Sequence, residues 1–384
     1  MSQAVANPAP AKPPGGGLEG VVAAKSEICF IDGTAGRLVY RGYDIGDLVE
    51  NTTFEEVAFL LWENKLPTQS ELLELKSDLG RSLALPDYVI GVLKSLPPTT
   101  QPMDALRTAA SALSSNDPDL TANTPEANRR KAIRLTAQFP TIVTTFHRLR
   151  KGQPIIAPDP SLSIAANFLY MLNGKKPNET LVRVMDAALV LHAEHGMNAS
   201  TFAARVIAAT LADMHAAVTG ALGALKGPLH GGANQDVMEL LLECGDIVKA
   251  EAKTRETLAG GGKIPGFGHR VYKTFDPRAT FLRKMSKQLG ESAGNTKWYE
   301  ISEKLIQVVK EMKPNINPNV DFFSASAYYT MGIPLDLFTP IFAIARIAGW
   351  TAHVMEQHVN NRIIRPTDDY VGKTGLKVVP IAQR

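Results

Sequence analysis

The chain has 384 residues, 45% hydrophobic and 21% charged, with a formal net charge of +3. That length supports a substantial buried core in one large domain or two, while so small and evenly spread a charge excludes a nucleic-acid-binding surface and leaves local basic clusters to serve small anions. Two cysteines, Cys29 and Cys244, lie far apart without a C-x-x-C pair or metal-ligand spacing, which excludes a disulfide framework and a structural zinc site and fits a reducing compartment.

Residues 1–17 are rich in Ala, Pro and Gly, with neither the apolar core of a signal peptide nor the arginines of a mitochondrial presequence. They read as a disordered tail on a cytoplasmic protein. Ser26 to Ile31 and Arg37 to Tyr40 are short β-type runs around D-G-T-A-G, which predicts a small hairpin and the one sheet of note. From Thr53 onward helical signals dominate. Pro67 ends one helix and Thr68 caps the next at Gln69.

Further helices are predicted at Pro102 to Leu113, Pro125 to Lys151, Ser161 to Leu172 and Asn178 to Glu194. Asn198 to Leu225 is apolar on nearly every side, so it predicts one helix at the centre of the fold or at a subunit contact. Asp213 and His215 interrupt that apolar run, which suits a buried helix and not a membrane span. The turn G-P-L-H-G-G-A-N ends it and starts another helix through Leu242.

Gly260 to Gly262 form a flexible joint ahead of I-P-G-F-G-H-R-V-Y-K-T-F-D-P-R, Ile264 to Arg278. Two helices follow, the second with Ile301, Leu305, Val308, Val309 and Met312 at helical spacing. A Pro/Asn-rich loop leads into V-D-F-F-S-A, and a long apolar helix runs from about Leu337 to His358 with Arg346 inside it. The fold class is therefore all-α: a large helical domain (18–228 and 331–384), a smaller helical domain (229–330) between glycine joints that can act as hinges, and a short N-terminal hairpin.

Five polar residues stand beside glycine turns or inside apolar stretches, where charge needs a partner or a ligand: His195, His230, His269, Asp321 and Arg346. Each also has an ordinary reading. A histidine near a helix end is commonly a cap or a satisfied core group, Asp321 can cap a helix, and Arg346 can belong to a structural ion pair. His192 and His195, with Glu194 beside them, and the looser pair His353 and His358 have some ligand spacing. No third and fourth ligand complete either set, so no metal site is expected.

Taken together, these segments resemble citrate synthase from Gly17 to Gly372. The resemblance rests on G-F-G-H-R-V-Y-K-T-F-D-P-R, and on G-L-E-G-V-V-A-A, R-G-Y-D, H-G-M-N-A-S, G-P-L-H-G-G-A-N, N-V-D-F-F-S-A and N-N-R-I-I-R-P in the same order. It implies condensation of acetyl-CoA with oxaloacetate and hydrolysis of the citryl thioester to citrate and CoA, the entry step of the tricarboxylic acid cycle. No cofactor is implied, since the coenzyme A thioester is a substrate. By the resemblance Asp321 is the base that takes the methyl proton, His230 the donor to the thioester oxygen, and His269 the residue that polarises and protonates the ketone. His195, His269, Arg278, Arg346 and Arg365 are implied to bind oxaloacetate, with Arg365 contributed across a homodimer. Pro265, Gly266, Phe267, Gly268, Lys273 and, less directly, Arg270 are implied to bind CoA.

Physical chemistry agrees with these assignments. A thioester methyl is a weak carbon acid, so a carboxylate can deprotonate it only where the enolate oxygen meets a donor at once. Two substrate carboxylates call for several guanidiniums. Closure of the small domain, with oxaloacetate binding first, protects the thioester from hydrolysis before condensation. The sequence departs from many relatives at Lys25, Glu194 and Gly196, which bears on substrate preference. With nothing domain-sized ahead of the hairpin it resembles the short, dimeric form, for which no inhibition by NADH is expected.

The nearest rival is 2-methylcitrate synthase, which takes propionyl-CoA; one methylene is worth only ~1–3 kcal/mol of discrimination. The citrate-synthase-like module of ATP citrate lyase would need a nucleotide-binding half that this length leaves no room for. A non-catalytic CoA-ester sensor has no use for a base such as Asp321.

Overall fold

The computed structural model describes residues 17, 18 and 20–384, so the expected disordered tail lies, except for Gly17, outside the described residues. The predicted hairpin is present and gains a third strand. β1 (Cys29–Asp32), β2 (Arg37–Tyr40) and β3 (Tyr43–Asp44) form an antiparallel sheet in the order β1-β2-β3, with Cys29 opposite Tyr40.

Helices account for most of the rest, and most of them begin where a side chain satisfies a free N–H of the first turn. α1 (Ile45–Asn51) leads to α2 (Phe54–Glu63) and α3 (Gln69–Ser82), which carry the capping boxes Thr53/Glu56 and Thr68/Glu71. α4 (Asp87–Ser95) and α5 (Pro102–Ala112) follow, the latter with proline at its start, where its missing N–H costs nothing. α6 (Pro125–Arg150) is capped by Thr124, α7 (Ile164–Asn173) by Ser163 and α8 (Glu179–His192) by Asn178.

The single helix expected over Asn198 to Leu225 is instead two: α9 (Ala199–Ala208), capped by Asn198, and α10 (Met214–Leu225), capped by Asp213. Leu211 adopts φ +64 between them, a left-handed conformation that no helix accommodates. The polar Asp213 was the local signal, because a short acidic side chain competes for backbone N–H groups and so favours a cap over a helix interior.

α11 (Ala233–Cys244) and α12 (Ile247–Ala259) precede the Gly260 to Gly262 joint. α13 (Pro277–Ser292), α14 (Lys297–Met312) and α15 (Val320–Thr330) follow it, and α16 (Phe338–Val359) completes the set. Sequence periodicity alone did not single out α1, α4 or α12. α16 is the core element, packed on α2, α6, α8, α9 and α10. By length and composition the stretch Leu335–Val359 could cross a membrane, but 94% of its apolar window is buried within the protein.

α11 to α15 pack chiefly on one another, α13 and α11 against α15 and α12 against α14. α1 and α8 meet this group through α13, and α16 through α11. The hairpin turn joins it as well: the Lys273 N–H donates to the Gly33 carbonyl at 2.8 Å. A Cβ at Gly33 would fall 2.2 Å from the Val271 carbonyl oxygen, so only glycine permits this approach.

Candidate active site

α8 ends at His192, and the following turn carries His195. Tyr40 on β2 clamps this turn, its hydroxyl donating to the Glu194 carbonyl at 2.7 Å and accepting the Glu194 N–H at 3.2 Å. From α16 the Arg346 Nε donates to the His192 carbonyl at 2.7 Å, and the guanidinium lies over the Phe342 ring at 4.7 Å. His195 is buried, with Nε2 3.2 Å from the Tyr272 hydroxyl and its ring 5.3 Å from that of His269.

The loop bearing His269 is laced to the start of α15. Gly268 N–H donates to the Asn317 carbonyl and Asn319 N–H to the Gly266 carbonyl, each at 2.9 Å, while the Asn319 amide donates to the Gly268 carbonyl at 3.0 Å. Asn319 also caps α15 by accepting the Asp321 N–H at 3.0 Å. Gly266 sits at φ +76, and a Cβ there would lie 2.6 Å from Val237 Cγ2 and 2.9 Å from the Phe322 ring. Glycine is therefore what lets Phe267 turn back against Phe322, with ring centres 4.7 Å apart.

Asp276 ties these parts together. Its Oδ1 accepts from the Arg278 backbone N–H (3.1 Å) and Nε (3.0 Å), and its Oδ2 from Arg278 Nη2 (2.8 Å) and the Val320 N–H (3.0 Å). Burial works against the Asp276 charge, but Arg278 outweighs it and holds the carboxyl below its ordinary range.

Asp321 faces the opposite balance. Burial pushes its carboxyl up to about 6, Arg278 and Arg346 pull downward, and the negative charge of Asp276 pushes upward. The histidines go the other way. Burial and then Arg278 lower His269 to about 4, burial and then Arg346 lower His230 to about 4, and burial with Arg278 and Arg346 takes His195 well below 6.5. All three rings are neutral at neutral pH.

Their tautomers follow from their neighbours. His269 Nδ1 accepts the N–H groups of Val271 (3.0 Å) and Tyr272 (3.1 Å), which leaves the ring proton on Nε2. His230 Nε2 accepts the Ser200 N–H at 3.3 Å and lies 2.8 Å from Ser200 Oγ, which leaves its proton on Nδ1. Ser200 Oγ in turn accepts the Trp350 Nε1–H at 3.1 Å.

The fold thus brings His195, His230, His269, Asp321, Arg278 and Arg346 into one electrostatic neighbourhood. Gly268, His269, Tyr272, Lys273, Asp276 and Asn317 help line a cavity of about 210 Å³ at its edge. Pro265, Gly266 and Phe267 precede these residues in the same loop without lining that cavity, and Arg270 and Lys273 are exposed. Arg365 is not among them: it is exposed in the segment after α16. Among the described residues no three His, Cys, Asp or Glu side chains are grouped as metal ligands, and His353 Nε2 instead meets Glu194 Oε1 at 3.0 Å. A larger groove of about 1520 Å³, lined by Ser26, Arg129, Arg205, Glu356 and Arg362 among others, opens at the far end of α16.

Sequence reasoning missed Asp276, Ser200, Tyr272 and Trp350. Asp276, Ser200 and Tyr272 lie inside segments quoted above, and the cap position of Asp276 ahead of α13 was readable. Nothing local marked the side chains they would meet.

Residues 17–367 match the family model described as "Citrate synthase, C-terminal domain". The chain is 51% identical over 370 residues to citrate synthase 2 of Bacillus subtilis, covering 96% of this chain and 98% of that one. It is 44% identical over 375 residues to 2-methylcitrate synthase of Shewanella oneidensis, covering 96% and 98%. Among solved structures, the Thermoplasma acidophilum citrate synthase in ternary complex with carboxymethyl coenzyme A and oxaloacetate superposes with a TM-score of 0.90 at 34% identity, covering 96% of this chain and 98% of that one.

Proposed function

The chain belongs to the citrate synthase family and is an acyltransferase that makes citrate, and from that premise we propose which groups do the work and on which thioester. Oxaloacetate is held by Arg278, Arg346 and His195, with Arg365 of the partner subunit completing the set. Asp321 removes a methyl proton from acetyl-CoA while the His230 Nδ1–H donates to the thioester oxygen, so the C–H electron pair becomes an enolate stabilised where its charge forms. The enolate carbon attacks the ketone carbon, and His269 gives its Nε2 proton to the ketone oxygen. Water then cleaves the thioester, releasing citrate and the CoA thiol.

The observation that carries this reading is the split in protonation: a carboxyl raised to about 6 beside histidines lowered to about 4. Such a pattern supplies a base that is charged at pH 7 yet basic enough to act, with neutral imidazoles as donors. CoA lies along Pro265 to Gly268, with Lys273 and Arg270 near its phosphates. The 229–330 unit is the mobile domain, closing after oxaloacetate binds. The protein acts as a cytoplasmic homodimer, supported by the exposed apolar side chains of Val371, Val378 and Ile381 beyond α16, which a second subunit would cover.

The deciding experiment is oxaloacetate-dependent thiol release, measured side by side with acetyl-CoA and propionyl-CoA. A higher kcat/KM for acetyl-CoA supports the reading. A higher value for propionyl-CoA makes the chain a 2-methylcitrate synthase, and release without oxaloacetate overturns the mechanism.

A further inference from the structure

Along α16, Arg346, Trp350, His353 and Gln357 recur every three or four residues and so share one face. All four are buried, and each makes a polar contact with the end of α8, the turn after it or α9. Arg205 of α9 sets the order of one such chain. Its Nη1 can only donate, so at 3.0 Å it fixes His353 Nδ1 as the acceptor and places the ring proton on Nε2. That proton is given to Glu194 Oε1 at 3.0 Å. Arg205 is anchored in turn by Gln357 Oε1 (3.1 Å) and Glu356 Oε2 (2.6 Å).

Glu194 is fully buried, and its Oε2 has no partner among the described residues. It occupies space left by a missing side chain: a Cβ at Gly349 would stand 2.2 Å from Oε2 and 2.4 Å from the Ala193 carbonyl oxygen. One turn away on the same helix is Arg346, whose single hydrogen bond among the described residues is from Nε to the His192 carbonyl. A buried carboxylate and a buried guanidinium thus lie close together without pairing, although pairing would satisfy both.

We propose that His353, oriented by Arg205, is a positioning residue that holds the Glu194 carboxylate off Arg346, so that the guanidinium stays free for a carboxylate of the substrate. The inference rests on the reading above that Arg346 binds oxaloacetate. Without the His353 donor, Glu194 is free to turn to Arg346, on which its charge already acts, and to compete with the ligand from inside the protein. Neutralising Glu194 removes the competitor, whether or not His353 is present.

The test is isothermal titration of the full-length protein with oxaloacetate, with a thermal melt of every variant. His353→Leu is expected to bind about tenfold more weakly, the scale of one buried charged partner gained by the wrong group. The double variant Glu194→Gln/His353→Leu is expected to recover to within about threefold of wild type, a rescue that a merely structural role would not give. Wild-type affinity in His353→Leu, or no recovery in the double variant, overturns the proposal. Should His353→Leu fail to fold, Glu194→Gln alone decides: it keeps the side-chain volume and is expected to bind at least as tightly as wild type, and weaker binding overturns the idea. Arg346→Gln separates the two levels, because undiminished binding there refutes the oxaloacetate assignment itself, whereas a loss there with no effect at His353 refutes only this inference.

Discussion

Asp276 Oδ2 accepts the backbone N–H of Val320 at 3.0 Å while the same carboxylate grips Arg278 through Oδ1 and Oδ2. One buried anion therefore fixes both the guanidinium at the start of α13 and the first turn of α15, where Asp321 stands. In Asp276→Asn one oxygen becomes an N–H donor facing donors that have nowhere else to go. We expect a loss of about 3 kcal/mol or more of stability, as when a buried ion pair loses one member, together with a raised KM for oxaloacetate. Because Arg278 holds the folded-state carboxyl below its unfolded value, this stabilisation is present above the unfolded pKa and disappears as pH falls through the folded one. Melts of wild type and variant between pH 7 and the acid limit check this, and a variant as stable as wild type at pH 7 would refute it.

Asp321 must be ionised to act. With its carboxyl near 6 and the histidines already neutral above about 4, kcat/KM is expected to fall tenfold per pH unit below about 6, with one ionisation on that limb. Asp321→Asn is expected to lower kcat by about 10³-fold while oxaloacetate titration stays near wild type. A pH profile flat from 7 to 5 would remove Asp321 as the base.

Ser200 meets His230 through both its backbone N–H and its hydroxyl. Ser200→Ala deletes the Oγ that lies 2.8 Å from His230 Nε2 and 3.1 Å from Trp350 Nε1, but keeps the backbone N–H. The ring is left less firmly oriented, and we expect kcat to fall about tenfold with the oxaloacetate KM unchanged. A change in that KM with kcat preserved would show that the serine serves the other substrate.

Asp186 and Glu55 form a buried carboxyl pair away from the site. Each caps a helix, Asp186 at the Phe54 N–H and Glu55 at the Ile164 N–H, and each keeps one oxygen without a hydrogen-bond partner among the described residues, although Arg183 stands 3.9 Å from Asp186 Oδ2. Burial first, and then the charge of Glu55, push Asp186 up to about 7. A carboxyl raised above its unfolded value contributes most below that unfolded value, and its contribution is lost as pH rises through 7. Asp186→Asn is expected to raise Tm by roughly 2 °C at pH 8 and by much less at pH 5. A variant less stable at pH 8 would show that the charge is not the liability.

If Arg365 acts across the dimer, two inactive variants should repair each other. Mixing Asp321→Asn with Arg365→Ala and allowing subunits to exchange produces heterodimers with one intact site and one doubly damaged site. Up to about a quarter of wild-type activity is then expected, since half the dimers are mixed and half their sites are whole. No recovery after confirmed exchange would place Arg365 in its own subunit's site or outside any site.

Much of this molecule was readable along the chain. The hairpin, the capped start of α3, the start of α6 at Pro125, the glycine-rich turns and the helical stripe through Ile301 to Met312 are local consequences of residue type, because caps, turns and periodicity act over a few positions. The histidines, arginines and Asp321 could be named as candidates for the same reason: charge beside glycine or within an apolar run has to be answered by something. The error at Asn198 to Leu225 arose where an apolar run concealed a break that Asp213 marks.

Sequence by itself determined the elements, the candidates and the chemistry their side chains could perform. Only the tertiary structure decided which imidazole nitrogen carries a proton, which carboxylates are held charged and which are pushed toward neutrality. His230 receives its tautomer from Ser200, thirty residues away in sequence, and His353 receives its own from Arg205 across two helices. Protonation depends on burial and on the nearest charges in space, and neither exists until distant segments of the chain have packed together.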